Sequence, residues 1–173
     1  MGTIIHKMAE MALVNDLDVT KLWTECVEEW KLIQNGSMKL DPSMANPRGF
    51  MQKFIEFDWK NPMEIEKEWF NEELMLSGTA DLIIKYNGVL SIADWKTSRS
   101  YSQEKKEHYF KQLAAYAILS GKAIKALVIC PLNPKNKNGY GSPIWSTDVE
   151  KYKKMYLEDL ATFNKLYRNK QNL

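Results

Sequence analysis

The sequence predicts an α/β fold, a central mixed β-sheet flanked by helices. Three observations predict it. Residues 74–97, LMLSGTADLIIKYNGVLSIADWKT, read as two apolar runs joined by Asn87-Gly88. That dipeptide favours a two-residue hairpin because both positions tolerate positive φ. Residues 103–120 then carry helical periodicity, and residues 123–130, AIKALVIC, form a short apolar run. A strand–helix–strand crossover of this length favours parallel pairing and a right-handed connection. Both ends of the chain also keep helical spacing. At 173 residues the chain suits one domain with its own core. The reading is a single domain over 1–173, with a helical layer over 1–59, a core over 62–130 and a last helix over 147–170.

Taken in order, residues 1–14 place Ile5, Met8, Ala12 and Leu13 at helical spacing, with His6 in the first turn. An isolated histidine there reads as a solvated side chain. Asp18 or Thr20 caps a second helix through Gln34, ended by Asn35-Gly36. Residues 37–46 form a loop with no legible chemistry. Pro47 opens a third helix, where its missing N–H costs nothing. Phe50, Phe54 and Phe57 keep helical spacing, a stripe that reads as core rather than as a base-stacking platform. Asn61-Pro62 is a breaker. Residues 63–70, MEIEKEWF, alternate as a strand, with Ile65, Lys67 and Trp69 on one face and Glu64, Glu66 and Glu68 on the other. The glutamates read as a charged edge against strand pairing, or one of them turns toward a site.

Within the hairpin, Leu90, Ile92 and Asp94 share a face, and Lys96 joins them because side chains two apart point the same way. Antiparallel pairing brings Asp81 close to Asp94 and Lys96. Two carboxylates and a lysine on an apolar sheet are costly to bury unless they hold a metal or each other. On spacing alone, Asp94 and Lys96 also read as a solvated surface pair. The helix over 103–120 sets Tyr109, Gln112, Leu113, Tyr116 and Ala117 on one stripe, with Gln112 and Tyr116 at i, i+4. Gly121 ends it. A loop over 131–142 carries Lys135 and Lys137, and residues 143–145 read as a short edge strand. Thr147 and Asp148 cap the last helix, Val149 to Asn169, with Tyr152, Tyr156, Leu157, Leu160, Phe163 and Tyr167 as its apolar face.

Composition narrows the function. Lys and Arg total 24 against 22 Asp and Glu, so net charge gives no nucleic-acid signal by itself. The two cysteines, Cys26 and Cys130, lie far apart without a CxxC. That spacing excludes a disulfide framework and a structural zinc knuckle, and points to a reducing compartment. No apolar run is long enough to span a membrane, and no signal peptide is visible. The expected location is the cytoplasm of a cell or of an infected host.

The quoted motifs, taken together in order, resemble the PD-(D/E)XK nuclease superfamily, and within it the RecB-type exonucleases of phages and of mitochondrial genome maintenance. The family pattern of Gly-x-x-Asp, Asp/Glu-x-Lys and Gln-x-x-x-Tyr is met by Gly78 and Asp81, Asp94 and Lys96, and Gln112 and Tyr116. The segment GTIIHKMAE is similar to the family's Gly-Thr-x-x-His-x-x-x-Glu, which implies a metal-ligand role for His6. Family members carry a further segment ahead of that motif. The family's upstream glutamate fits Glu66 best, with Glu64 and Glu68 as alternatives.

The resemblance implies a PD-(D/E)XK core and a metal-dependent deoxyribonuclease, with an exonuclease favoured over an endonuclease. It implies Mg²⁺ or Mn²⁺ on His6, Asp81, Asp94 and the Trp95 carbonyl. Lys96 would orient or deprotonate water, and Gln112 and Tyr116 would position water or phosphate. Some RecB-type nucleases carry a four-cysteine iron–sulfur cluster, which two cysteines cannot build. The expected partner is DNA, as single strands or ends, contacted by Thr97, Ser98, Arg99, Lys105, Lys135 and Lys137; no membrane partner is expected. The rivals are a silent nucleic-acid-binding module on the same fold and a structure-specific endonuclease.

Overall fold

A computed structural model of the chain describes residues 2–14, 45–98, 100–133 and 135–168. The expected second helix, most of the loop after it, Cys26 and Arg99 lie outside the described residues. Five strands form one sheet in the order β1-β2-β3-β4-β5. They are β1 (Glu64–Asn71), β2 (Leu76–Tyr86), β3 (Val89–Lys96), β4 (Ala126–Pro131) and β5 (Ile144–Ser146). Only the β3–β4 pair is parallel; the other three are antiparallel. The sheet is mixed, as the sequence predicts. Helices α1 (Gly2–Val14), α2 (Pro47–Lys53), α3 (Gln103–Ser120) and α4 (Val149–Phe163) flank it.

Local chemistry explains the elements. Asn87 and Gly88 take φ of 49° and 76°, the paired positive values that match a hairpin turn to strand twist. The crossover helix α3 begins at Ser102, whose hydroxyl accepts from the Lys105 N–H, and ends at Gly121 with φ 61°. Both ends are thus satisfied where the sequence places them. All six residues of β4 are buried, as expected of a strand covered on both faces.

Two apolar clusters sandwich the sheet. On one side, Ile5 and Ala9 of α1 and Phe50 of α2 pack with Leu82, Ile84, Trp95, Val128 and Cys130. On the other, Phe110, Leu113 and Ala117 of α3 and Tyr152 of α4 pack with Ile83, Ile92, Leu127 and Ile129. The aromatic stripe is core: Phe50 meets Trp95 edge-on at 5.4 Å, and Trp59 stacks on Trp95 at 5.8 Å.

Three expectations need correction. The helix holding Phe50 stops at Lys53, and Phe57 instead bridges to Tyr86; it reaches the core from the turns that follow the helix. Helix α4 ends at Phe163 and passes into a five-residue π-helical turn, Asn164–Arg168. Its apolar face is narrower than the spacing implies. Tyr152 is buried against Phe110, whereas Leu157, Phe163 and Tyr167 stay 41%, 49% and 62% exposed. Finally, Ile65 and Trp69 do not share a face. Ile65 packs into the cluster on the α1 and α2 side and Trp69 into the one on the α3 and α4 side. Between them Glu66 takes φ 47°, and a left-handed residue breaks the two-residue alternation of a strand.

Candidate active site

The site sits where the hairpin stops pairing. Leu82 opposite Ala93 is the last rung of the β2–β3 ladder, and Asp81 and Asp94 come one step beyond it. With the ladder ended, Asp81 Oδ2 takes the Trp95 N–H at 2.8 Å in place of a backbone acceptor. Both carboxylates are buried, Asp81 at 8% exposure and Asp94 at 3%. From α1, His6 Nδ1 comes within 3.2 Å of the same Asp81 oxygen. Burial opposes a charge on His6, but the hydrogen bond and the charge of Asp81 outweigh it and raise its pKa.

Lys96 lies on the Asp94 face, as a two-residue spacing requires. Its Nζ stands 2.7 Å from Asp94 Oδ2 and donates to Gln112 Oε1 at 2.9 Å. The Gln112 amide in turn donates to the Tyr116 hydroxyl at 2.8 Å. Gly78 lets this chain form: a Cβ there would come within 2.6 Å of the Tyr116 ring. Asp94 Oδ2 is buried, with the Lys96 ammonium against it at 2.7 Å. Burial first, then the charge of Asp81, pushes the Asp94 carboxyl above the usual carboxylate range, against the pull of Lys96.

Glu66 is the glutamate the structure brings to this region. The β1–β2 register pairs Ile65 with Leu82 and Lys67 with Ala80, which sets Glu66 level with Asp81. Its carboxyl is pushed up to about 7, by burial first and then by Asp81 and Glu10. It lines a cavity of ≈ 480 Å³ with His6, Glu10, Thr3 and Lys7. Glu64 is drawn off to Lys122 at 3.1 Å, and Glu68 is exposed.

The segments expected to meet nucleic acid converge beside the end of β3. Leu132 N–H donates to the Lys96 carbonyl at 2.8 Å, and Asn133 Nδ2 donates to the Ser98 carbonyl at 3.2 Å. These bonds dock the 131–141 loop, with Lys135 and Lys137 exposed on it, against half-buried Thr97 and Ser98. Lys105 Nζ donates to Ser98 Oγ at 3.4 Å.

Three residues that sequence reading gave no role also hold the site. Tyr109 lies under the Lys96 ammonium at 5.0 Å from its ring centre. Its place on the Gln112–Tyr116 stripe was the available signal. Tyr101, whose hydroxyl donates to the Lys96 carbonyl at 2.9 Å, and Asn133 sit in loops, where no periodicity marks them.

Among the described residues no three His, Cys, Asp or Glu side chains close into a ready metal cage. The donor chemistry nevertheless fits a divalent cation. Two buried carboxylates and an imidazole match the oxygen-rich, partly nitrogen sets of Mg²⁺ and Mn²⁺. Cys130, the cysteine among the described residues, is free and buried.

No curated protein matches the chain. The family model of the PD-(D/E)XK nuclease superfamily matches residues 1–170. That match runs through every strand and helix described above, and on it the chain belongs to the PD-(D/E)XK nuclease superfamily.

Proposed function

We propose that the chain is a metal-dependent DNA exonuclease of the RecB type, acting on DNA ends and preferring single strands, in phage or cellular recombination, repair or DNA degradation. The observation that carries the reading is the buried Asp81–Asp94 pair with Lys96 on the Asp94 face. Two carboxylates buried on adjacent strands repel each other, and a bound cation would relieve that repulsion. End preference and the RecB-type branch rest on the likeness of Gly78–Asp81, Asp94–Lys96, Gln112–Tyr116 and His6 to that group.

Asp81, Asp94, His6 and the Trp95 carbonyl would hold the cation, with Glu66 beside them. When bound, Mg²⁺ or Mn²⁺ neutralises charge on the phosphoryl group and polarises the attacking water. The chain's own residues do the rest. Trp95 N–H fixes the Asp81 carboxylate. Gln112, Asp94 and the Tyr109 ring hold the Lys96 ammonium in one place, where it orients water and offsets charge on the phosphoryl oxygens. Tyr116 fixes Gln112. Thr97, Ser98, Arg99, Lys105, Lys135 and Lys137 would take the strand's phosphates, which position without reading sequence.

A time course on end-labelled linear DNA and on covalently closed single-stranded circles, with Mg²⁺ or Mn²⁺, tests the reading. Mononucleotides or short products from linear strands, with circles intact, are expected. Circles opened as fast as linear strands are degraded would instead make the chain an endonuclease.

A further inference from the structure

A cavity of ≈ 390 Å³ opens between α3, α4 and the start of β2, and it shares Gln112 and Tyr116 with the Lys96 chain of hydrogen bonds. Small-ligand sites run from about 300 Å³ upward. Three ring side chains line the cavity: His108 and Tyr116 from α3, and Tyr156 from α4. The Tyr116 ring is fixed between Gly78 and the Gln112 amide. Tyr156 faces the cavity half-buried from the opposite helix. The charges beside it cancel, because Lys111 pairs with Asp159 at 2.5 Å. A ring-lined space without net charge does not suit a phosphate or a metal. It suits a neutral, planar, heteroaromatic group.

We propose that this cavity takes one unpaired base of the substrate strand, from a nucleotide next to the scissile phosphate. The proposal rests on the nuclease reading above. Gln112 accepts from Lys96 and also lines the cavity, which puts the cavity one side chain away from the lysine that would meet the phosphate. Stacking between Tyr116 and Tyr156 tolerates any sequence, because every base has a π-face. A duplex must first unstack and unpair that base, whereas a single strand offers it freely. Base capture therefore supplies a strand preference that phosphate contacts cannot.

The test uses single-stranded oligonucleotides, either intact or with one abasic residue at the first, second or third position from a labelled end. Cleavage is read as kcat/KM with Mn²⁺, and binding by anisotropy without divalent metal. The proteins are the parent, Tyr156→Leu and Tyr156→Phe, with His108→Ala as a second probe at an exposed position should Tyr156→Leu not fold. For the parent, one abasic position should lower both readouts roughly tenfold, within the range of base–aromatic stacking. Tyr156→Leu should show that loss on intact DNA and no further loss on the abasic strand. Tyr156→Phe, which keeps the ring, should keep the base dependence. The proposal is overturned if no abasic position matters to the parent, or if Tyr156→Leu loses equally on intact and abasic strands. A parent that binds in a base-dependent way without cutting overturns the nuclease reading alone. A parent that cuts every strand at one rate overturns the base site alone.

Discussion

Lys96 is held from three sides, by Asp94, by the Gln112 carbonyl and by the face of Tyr109. A lysine on a solvated strand edge would have none of this; only 15% of its side chain is exposed. Lys96→Ala should leave DNA binding in place and lower the cleavage rate by on the order of 10²–10⁴, the usual worth of a positioned proton-transfer group. The same variant strands a buried carboxylate, which costs about 3 kcal/mol or more when a buried pair is broken. Its melting temperature should therefore fall without metal and recover in part with Mn²⁺. Turnover within a few-fold of the parent would reduce Lys96 to a structural lysine. Glu66 is the other informative residue. A non-glycine residue at φ 47° carries strain of about 1–3 kcal/mol, which persists where surrounding structure over-determines it. Here it aims a carboxyl at the cavity beside His6.

The elements differ in how far the sequence exposes them. Helix α3 is legible to its ends because Ser102 and Gly121 are both capping residues, and the hairpin is legible because Asn-Gly fits one turn. The level of Asp81 with Asp94 follows from that turn by counting. Other features depend on what lies across the sheet. The period of two predicts one face for Ile65 and Trp69, and no pattern announces the left-handed Glu66 that separates them. Phe57 keeps helical spacing but lies beyond the end of its helix, since Phe54 already closes α2. The outer half of α4 carries apolar residues that α3 is not placed to cover. The residues of β1 alone do not separate Glu66 from Glu64 and Glu68; the resemblance favours Glu66, and the structure adds that Lys122 engages Glu64.

Gly78 belongs to this scale, because it sets how closely α3 approaches β2. Gly78→Ala places a methyl group 2.6 Å from the Tyr116 ring, and a ring tied to Gln112 cannot yield without moving Lys96. Overpacking of this kind costs about 1–3 kcal/mol. Thermal melting should register that loss. The cleavage rate of the folded fraction should fall further than for a similarly destabilising change remote from α3. An unchanged rate per folded molecule would uncouple Tyr116 from the lysine.

At the level of the whole molecule, both faces of the sheet are covered and the reactive groups gather where β2 and β3 part. The chain is nearly neutral, with formal net charge +2, so strand binding has to come from local cations rather than from a global field. Lys105, Lys135 and Lys137 are exposed around Thr97 and Ser98. For single strands, log affinity should fall against log salt with a slope of about −0.7 per phosphate neutralised. Replacing Lys135 and Lys137 together by Ala should flatten that slope by about 1.4 if each meets one phosphate. An unchanged slope would remove the 131–141 loop from the interface. No helix of the described residues is long and apolar enough to cross a membrane, and none is needed for this chemistry.

The most direct test is nucleotide release from an end-labelled single strand by the parent and by Asp94→Asn, each with Mn²⁺ and with excess chelator. Asp94→Asn keeps side-chain volume and removes one buried charge, so the fold should persist. Release is expected from the parent with Mn²⁺ alone, and from neither protein once the chelator is added. Equal release by Asp94→Asn, or release by the parent in chelator, would contradict a metal-dependent site built on Asp81 and Asp94.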